Sequence, residues 1–229
     1  MRSETGGMTD TLTRVHPDLF QTRTDSPFPG LTTHAYLWTG GPEGNVLFYS
    51  TASDAEFDAI AGLGGIAHQY LSHLDEAGPM LGRIARRFGS RLHAPGAESA
   101  EIARHAPIDV ALSEREVDAN GVEVIPTPGH SAGSCCFLVR GAGGTYLFTG
   151  DTLFPTERGT WSTFVPPGRG DADAMRSSLD VLATLEPDVV ISSAFAGPTA
   201  MQSVDAASWP RIIAQARETV PTVSASTSR

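Results

Sequence analysis

The stretch from Ile125 to Asp151 constrains the fold more than any other part of the chain. It reads Ile-Pro-Thr-Pro-Gly-His-Ser-Ala-Gly-Ser-Cys-Cys-Phe-Leu-Val up to Val139 and closes on Tyr-Leu-Phe-Thr-Gly-Asp from Tyr146 to Asp151. A strand over Val122 to Pro126 runs into a Pro-Gly turn that presents His130. Two further apolar runs, Cys135 to Val139 and Tyr146 to Phe148, flank Gly141, Gly143 and Gly144, which is the turn chemistry of a hairpin. Asp151 leaves the second run behind Gly150. An imidazole and a carboxylate, each at a strand end beside a glycine, are the means by which a scaffold aims ligands into one pocket.

The 229 residues suit one domain, and 40% hydrophobic residues are enough for a real core. The formal charge of −10 argues against a nucleic-acid groove. All basic residues are arginine, so a lysine nucleophile or Schiff base is excluded. The two cysteines, Cys135 and Cys136, are neighbours in one strand and point to opposite faces. A disulfide between them is not expected, and they read as small buried hydrophobes. The start of the chain lacks a signal-peptide apolar run, and no segment approaches the ~20 apolar residues that span a bilayer. The expectation is a cytoplasmic protein with no membrane or nucleic-acid partner and a small-molecule substrate; its oligomeric state is not legible.

In chain order, residues 1–12 read as a disordered lead, 13–219 as one domain and 220–229 as a flexible tail. Leu19 to Arg23, Thr33 to Trp38 and Val46 to Tyr49 read as strands between Pro/Gly turns, one of them Pro27 to Gly30. Asp54 to Leu63 reads as a helix capped by Ser53, followed by a strand from Ile66 to Leu71. Pro79 to Phe88 is helical by the spacing of Met80, Ile84 and Phe88, with Gly89 closing it. Arg91 to Ala94 is strand-like and Ala97 to Arg104 helical. Asp171 to Leu185 is a helix on the spacing of Met175, Leu179, Leu182 and Leu185. Pro187 to Ile191 is a strand, and Ser208 to Ala216 a last helix.

Thr-Pro-Gly-His-Ser-Ala-Gly-Ser followed by Phe-Thr-Gly-Asp-Thr-Leu-Phe resembles the metallo-β-lactamase-fold hydrolases. The resemblance covers roughly Leu19 to Gly197. It implies an α+β fold, an αββα sandwich of two mixed sheets packed face to face with helices outside. In that family the Pro-Gly-His supplies one metal ligand and the Gly-Asp a carboxylate that bridges two metals. The family's His-x-His-x-Asp-His motif corresponds here to His73-Leu74-Asp75-Glu76-Ala77-Gly78. His73 matches the first ligand, Asp75 stands for the second histidine, and Ala77 and Gly78 replace the last two. The family's final histidine falls in Ser192-Ser193-Ala194-Phe195 and is also missing, with Ala194 and Phe195 expected to fill that space.

The three ligands particular to the second metal are thus absent, while His73, His130 and Asp151 remain, with Asp75 as a possible fourth. Two imidazoles and a carboxylate with open positions form the facial triad associated with non-haem Fe(II); with Asp75 and a water they suit Zn(II). One divalent metal, Zn or Fe, is expected, with Asp75 or Glu76 as general base. Otherwise Asp75 caps the helix that starts near Pro79, and Glu76 is a solvent-facing or helix-entry carboxylate. Three readings stand: a hydrolase of a small ester, thioester or lactone with a reduced, mononuclear site; a mononuclear iron oxygenase, as in relatives that oxidise persulfides; and a metal-free binding protein. His93 is a further candidate at the same sheet edge. In the long loop from Phe154 to Gly170, Arg158, Trp161 and Phe164 are candidates for a substrate wall.

Overall fold

A computed structural model describes residues 12–222. The expected lead over 1–12 and tail over 220–229 lie almost wholly outside the described residues; Leu12 and Val220, at their inner ends, are buried. The chain opens with strands β1 (Thr13–His16), β2 (Leu19–Gln21), β3 (Asp25–Phe28), β4 (Leu31–Thr33), β5 (Tyr36–Trp38) and β6 (Val46–Phe48). Helix α1 (Phe57–Gly62), β7 (His68–Tyr70), α2 (Pro79–Phe88), β8 (Arg91–Pro95), α3 (Ser99–Ile102) and β9 (Val110–Leu112) follow. The second half comprises β10 (Glu116–Val117), β11 (Val122–Pro126), β12 (Cys135–Gly141), β13 (Gly144–Gly150), β14 (Phe154–Pro155) and β15 (Trp161–Ser162). It ends with α4 (Ala172–Ala183), β16 (Val189–Ser192), β17 (Ala194–Phe195), β18 (Met201–Ser203) and α5 (Ser208–Glu218).

One sheet has the order β1-β2-β5-β6-β7-β8-β9 and the other β10-β11-β12-β13-β16-β18. Both are mixed: β6 to β9 run parallel, as do β13 and β16, and the remaining pairs are antiparallel. Residues of both sheets, among them Tyr36, Phe48 and Tyr70 from the first and Val124, Phe137 and Phe148 from the second, share one core. A separate cluster binds α4 and α5 to the outer face of the second sheet, and another binds α2 and α3 to the first. These layers are the expected αββα sandwich. The cysteines read the same way: Cys135 lies in the core between the sheets and Cys136 in the cluster under α4 and α5, and both are free and buried.

The hairpin forms as expected, with Gly141 opposite Gly144. The expected strand Thr33 to Trp38 is broken in two. At the break, His34 N–H donates to the Ser193 carbonyl and Ala35 N–H to Thr22 Oγ1, so Thr33 joins a small third sheet. That sheet has the order β17-β4-β3. Pro27 to Gly30, expected as a simple turn, is therefore the tip of a hairpin. Ser53 does not cap α1. The helix starts at Phe57 with Glu56 at its N-cap, and Ser53 Oγ only meets the Ala55 N–H at 3.4 Å. The helix expected over Ala97 to Arg104 shortens to α3, because Arg104 and His105 donate three residues back, to Glu101 and Ile102.

Candidate metal centre

Each candidate ligand leaves the end of a strand on the same side of the sandwich. His73 follows β7, His130 follows β11, and Asp151 follows β13. Two glycines permit the approach. Gly150 has φ +53, and a Cβ there would stand 2.2 Å from Ser72 Oγ, so β13 closes directly onto the His73 segment. Gly129 has φ +146, and a Cβ would stand 2.6 Å from the Met175 Cα, which fixes the Pro-Gly-His turn against α4.

His73 and His130 are both buried, with ring centroids 4.8 Å apart and planes at 85°. His130 Nδ1 donates to the Phe164 carbonyl at 3.0 Å, since a carbonyl can only accept. The Nε2 lone pair of His130 is thereby left facing Asp151, Asp75 and the Arg169 guanidinium, whose Nη2 stands 3.5 Å away. Behind His73 runs a relay: Nδ1–H to Ser72 Oγ at 2.9 Å, and the Ser72 hydroxyl onto Glu76. His73 Nε2 is buried, has no hydrogen-bond partner among the described residues, and stands 3.4 Å from Asp151 Oδ2. Asp151 Oδ2 is 3.9 Å from His130 Nε2, while Oδ1 accepts from Ser193 Oγ at 2.5 Å.

The three ligand atoms of His73, His130 and Asp151 lie within 4.8 Å of one another. Zn–N and Zn–O bonds of about 2.1 Å place ligand atoms about 3.4 Å apart in a tetrahedron. The orphaned Nε2, the outward-tied Nδ1 atoms and this spacing fit a divalent ion, with the outer hydrogen bonds that orient metal-bound imidazoles. The electrostatics agree. Burial opposes a charge on His73, yet the Asp151 and Glu76 carboxylates outweigh it and raise its pKa well above an ordinary imidazole. Burial also opposes the Asp151 charge, but the His73 and His130 imidazoles and Ser193 pull its pKa down to about 2. The spot favours positive charge.

Asp75 does not cap α2; Gly78 occupies the N-cap without a side-chain bond. Its Oδ2 stands 3.5 Å from His130 Nε2 and 3.9 Å from His73 Nε2. Both its oxygens accept from Arg169, at 2.6 Å each. The His130 imidazole and the Arg169 guanidinium hold its carboxyl well below the usual range. Arg169 comes from the loop after Asp151 and lies 94 residues from Asp75 in sequence, and no local pattern marked it. Glu76 is no solvent carboxylate: its side chain is 8% exposed, and it accepts from both the Ser72 N–H and the Ser72 hydroxyl.

His93 is not at the site; it pairs with His68 at 3.0 Å and stacks on Tyr70. Trp161 is buried under α5 with its indole N–H on Gln202, and Arg158 is exposed and does not line the cavity at the centre. Phe164 is the one loop candidate at the site. The centre opens into a cavity of about 1190 Å³ walled by the β3–β4 hairpin, the segment from His73 to Met80, Phe154 and Phe164. Ala77, Gly78, Ser193 and Ala194 line it where the second ligand set is missing. Ala194 is thus part of a wall and does not plug the space, while Phe195 stacks on His34. Among the described residues no helix is long and apolar enough to cross a membrane.

Residues 64–194 match the family model described as the metallo-beta-lactamase superfamily. The chain is 29% identical over 166 residues to a hydroxyacylglutathione hydrolase of Acidiphilium cryptum, covering 68% of this chain and 62% of that protein. It is 30% identical over 114 residues to a probable metallo-hydrolase of Methanocaldococcus jannaschii, covering 50% of this chain and 47% of that one. The chain thus spans between about half and two thirds of the length of these relatives. A metallo-beta-lactamase from Pontibacter korlensis superposes with a TM-score of 0.68 at 15% identity, covering 91% of this chain and 97% of that structure.

Proposed function

Because this chain belongs to the metallo-beta-lactamase superfamily, we propose that it is a hydrolase of small esters, thioesters or lactones built on a single divalent metal, zinc or iron. The observation that carries the reading is the buried, unpartnered Nε2 of His73, aimed at the Asp151 carboxylate and opening onto a cavity. His73, His130 and Asp151 would hold the ion, which when bound would act as a Lewis acid toward a carbonyl oxygen and raise the nucleophilicity of water.

The chain's own residues supply the rest. Ser72 and Glu76 orient His73, the Phe164 carbonyl orients His130, and Ser193 fixes Asp151. Glu76 is 8% exposed and tied into the Ser72 relay behind His73, whereas Asp75 is 43% exposed at the cavity with Arg169 across both its oxygens, so proton transfer is assigned to Asp75. In the reaction, water oxygen bonds to the acyl carbon, one water proton passes to Asp75, the acyl–oxygen or acyl–sulfur bond breaks, and the leaving group recovers that proton. A carboxyl held so acidic is a weak base, so acyl groups with good leaving groups, such as thioesters and strained lactones, are favoured.

The test is elemental analysis of protein purified anaerobically without chelator or histidine tag. About one zinc or iron per chain, lost in His130→Ala and Asp151→Asn, together with turnover of acyl substrates, supports the reading. Iron with substrate-dependent oxygen consumption would favour the oxygenase that the His-His-carboxylate set also suits. No bound metal after incubation with Zn, Fe(II) or Mn would favour a metal-free binding protein.

A further inference from the structure

We infer that the cavity selects an uncharged, apolar acyl substrate and rejects one with an anionic head group, a proposal that rests on reading the site as an acyl hydrolase. Pro27, Pro29, Leu31, Met80, Phe154 and Phe164 supply its apolar walls. Two of these groups have fixed positions in the cavity wall. The β3–β4 hairpin is held there by β17, with Ala194 opposite Thr33. The Phe164 backbone is held by its carbonyl's bond to His130, and its ring lies 5.9 Å from the His130 ring. Phe164 is 51% exposed, although it is anchored beside the centre. An aromatic ring left half in water at a cavity mouth gains most by packing on a ligand.

The charges point the same way. Apart from His34 and the two candidate ligands His73 and His130, the ionisable side chains that line the cavity are Asp25, Asp75, Glu76, Asp151 and Tyr49, four of them carboxylates, and no arginine lines it among the described residues. The chain has no lysine at all. The nearby guanidinium of Arg169 is committed to both oxygens of Asp75. Among the cavity-lining residues a ligand carboxylate would meet no arginine away from the metal and would face Asp25 at the hairpin. An alkyl chain would instead replace water along the apolar walls, at about fourfold in affinity for each fully buried methylene.

The experiment is calorimetric titration of the metal-loaded protein with butanamide, hexanamide, octanamide and S-octylglutathione. None of these is a thioester or ester, so the titration reads binding alone. Kd is expected to fall at least tenfold from butanamide to octanamide, and S-octylglutathione is expected to bind at least tenfold more weakly than octanamide. Phe164→Ala should raise Kd for octanamide about fivefold and leave butanamide within twofold. Leu31→Arg should tighten S-octylglutathione and weaken octanamide. A Kd indifferent to chain length, or S-octylglutathione binding as tightly as octanamide, overturns the inference even in a protein that hydrolyses esters. The expected series in a protein without hydrolytic activity would uphold it while sinking the proposed reaction.

Discussion

His93 should make the fold acid-sensitive, and replacing it should remove that sensitivity. Its ring is 3% exposed, stacks on Tyr70 at 4.1 Å, and shares one hydrogen bond with His68, Nδ1 to Nε2 at 3.0 Å. One ring donates and the other accepts, so the pair is neutral as built. Burial, reinforced by repulsion from His68, brings the His93 pKa down to about 4. In the unfolded chain the imidazole titrates near 6.5. Between those values the unfolded state binds the extra proton, so stability is complete above about pH 6.5 and is lost as pH falls toward 4. At about 1.4 kcal/mol per pK unit the full span is about 3 kcal/mol, of which about 2 kcal/mol is gone by pH 5. His93→Phe keeps the stacking and removes the titration, at a cost of about 1 kcal/mol for the bond lost to His68. Urea unfolding of both proteins from pH 7.5 to pH 4.5 should give curves that cross, with the variant less stable at pH 7.5 and more stable at pH 5. Parallel curves would refute the argument.

Other outcomes follow from the same geometry. Gly150→Ala should cost about 2–4 kcal/mol in urea unfolding, from a positive φ and a Cβ 2.2 Å from Ser72 Oγ, and should weaken retention of a divalent ion loaded at the proposed centre against a chelator. Asp18→Ala should cost about 2–3 kcal/mol, because Asp18 accepts from Trp38 Nε1, the Tyr146 hydroxyl and the Ala142 N–H and so ties the first sheet to the tip of the β12–β13 hairpin. Arg169→Gln should shift unfolding by less than about 1 kcal/mol, since its ion pair with Asp75 is over 40% exposed on both sides, while lowering kcat in the proposed acyl hydrolysis.

The layers and the three-ligand cluster were legible because local rules write them. Thr-Pro-Gly-His and Thr-Gly-Asp place their ligands at strand ends through glycines that a side chain could not replace, and the hairpin between them follows from its own turn residues. Helices α2 and α4 follow from apolar spacing with Gly89 and Asp171 at their ends. What was not legible depends on partners remote in sequence. Asp75 was legible as a ligand, base or cap, but not as the partner of Arg169. Glu76 looked solvated until Ser72 bent back to it. Pro27 to Gly30 looked like a bare turn because the strand that follows it, β4, is paired by β17 from the far end of the chain. Trp161, in a loop by composition, is drawn into the core by α5 and Gln202.

The neighbouring thiols make the sandwich a molecule that reports its own opening. Burial raises the pKa of Cys136 to about 12, and that of Cys135 well above the ordinary thiol value, so neither is nucleophilic while the layers are closed. Cys135 meets solvent only when the two sheets part, and Cys136 only when α4 and α5 lift away. With each cysteine kept alone, the two alkylation rates would clock separation at the two interfaces from adjacent positions on one strand, without a probe being added to the chain.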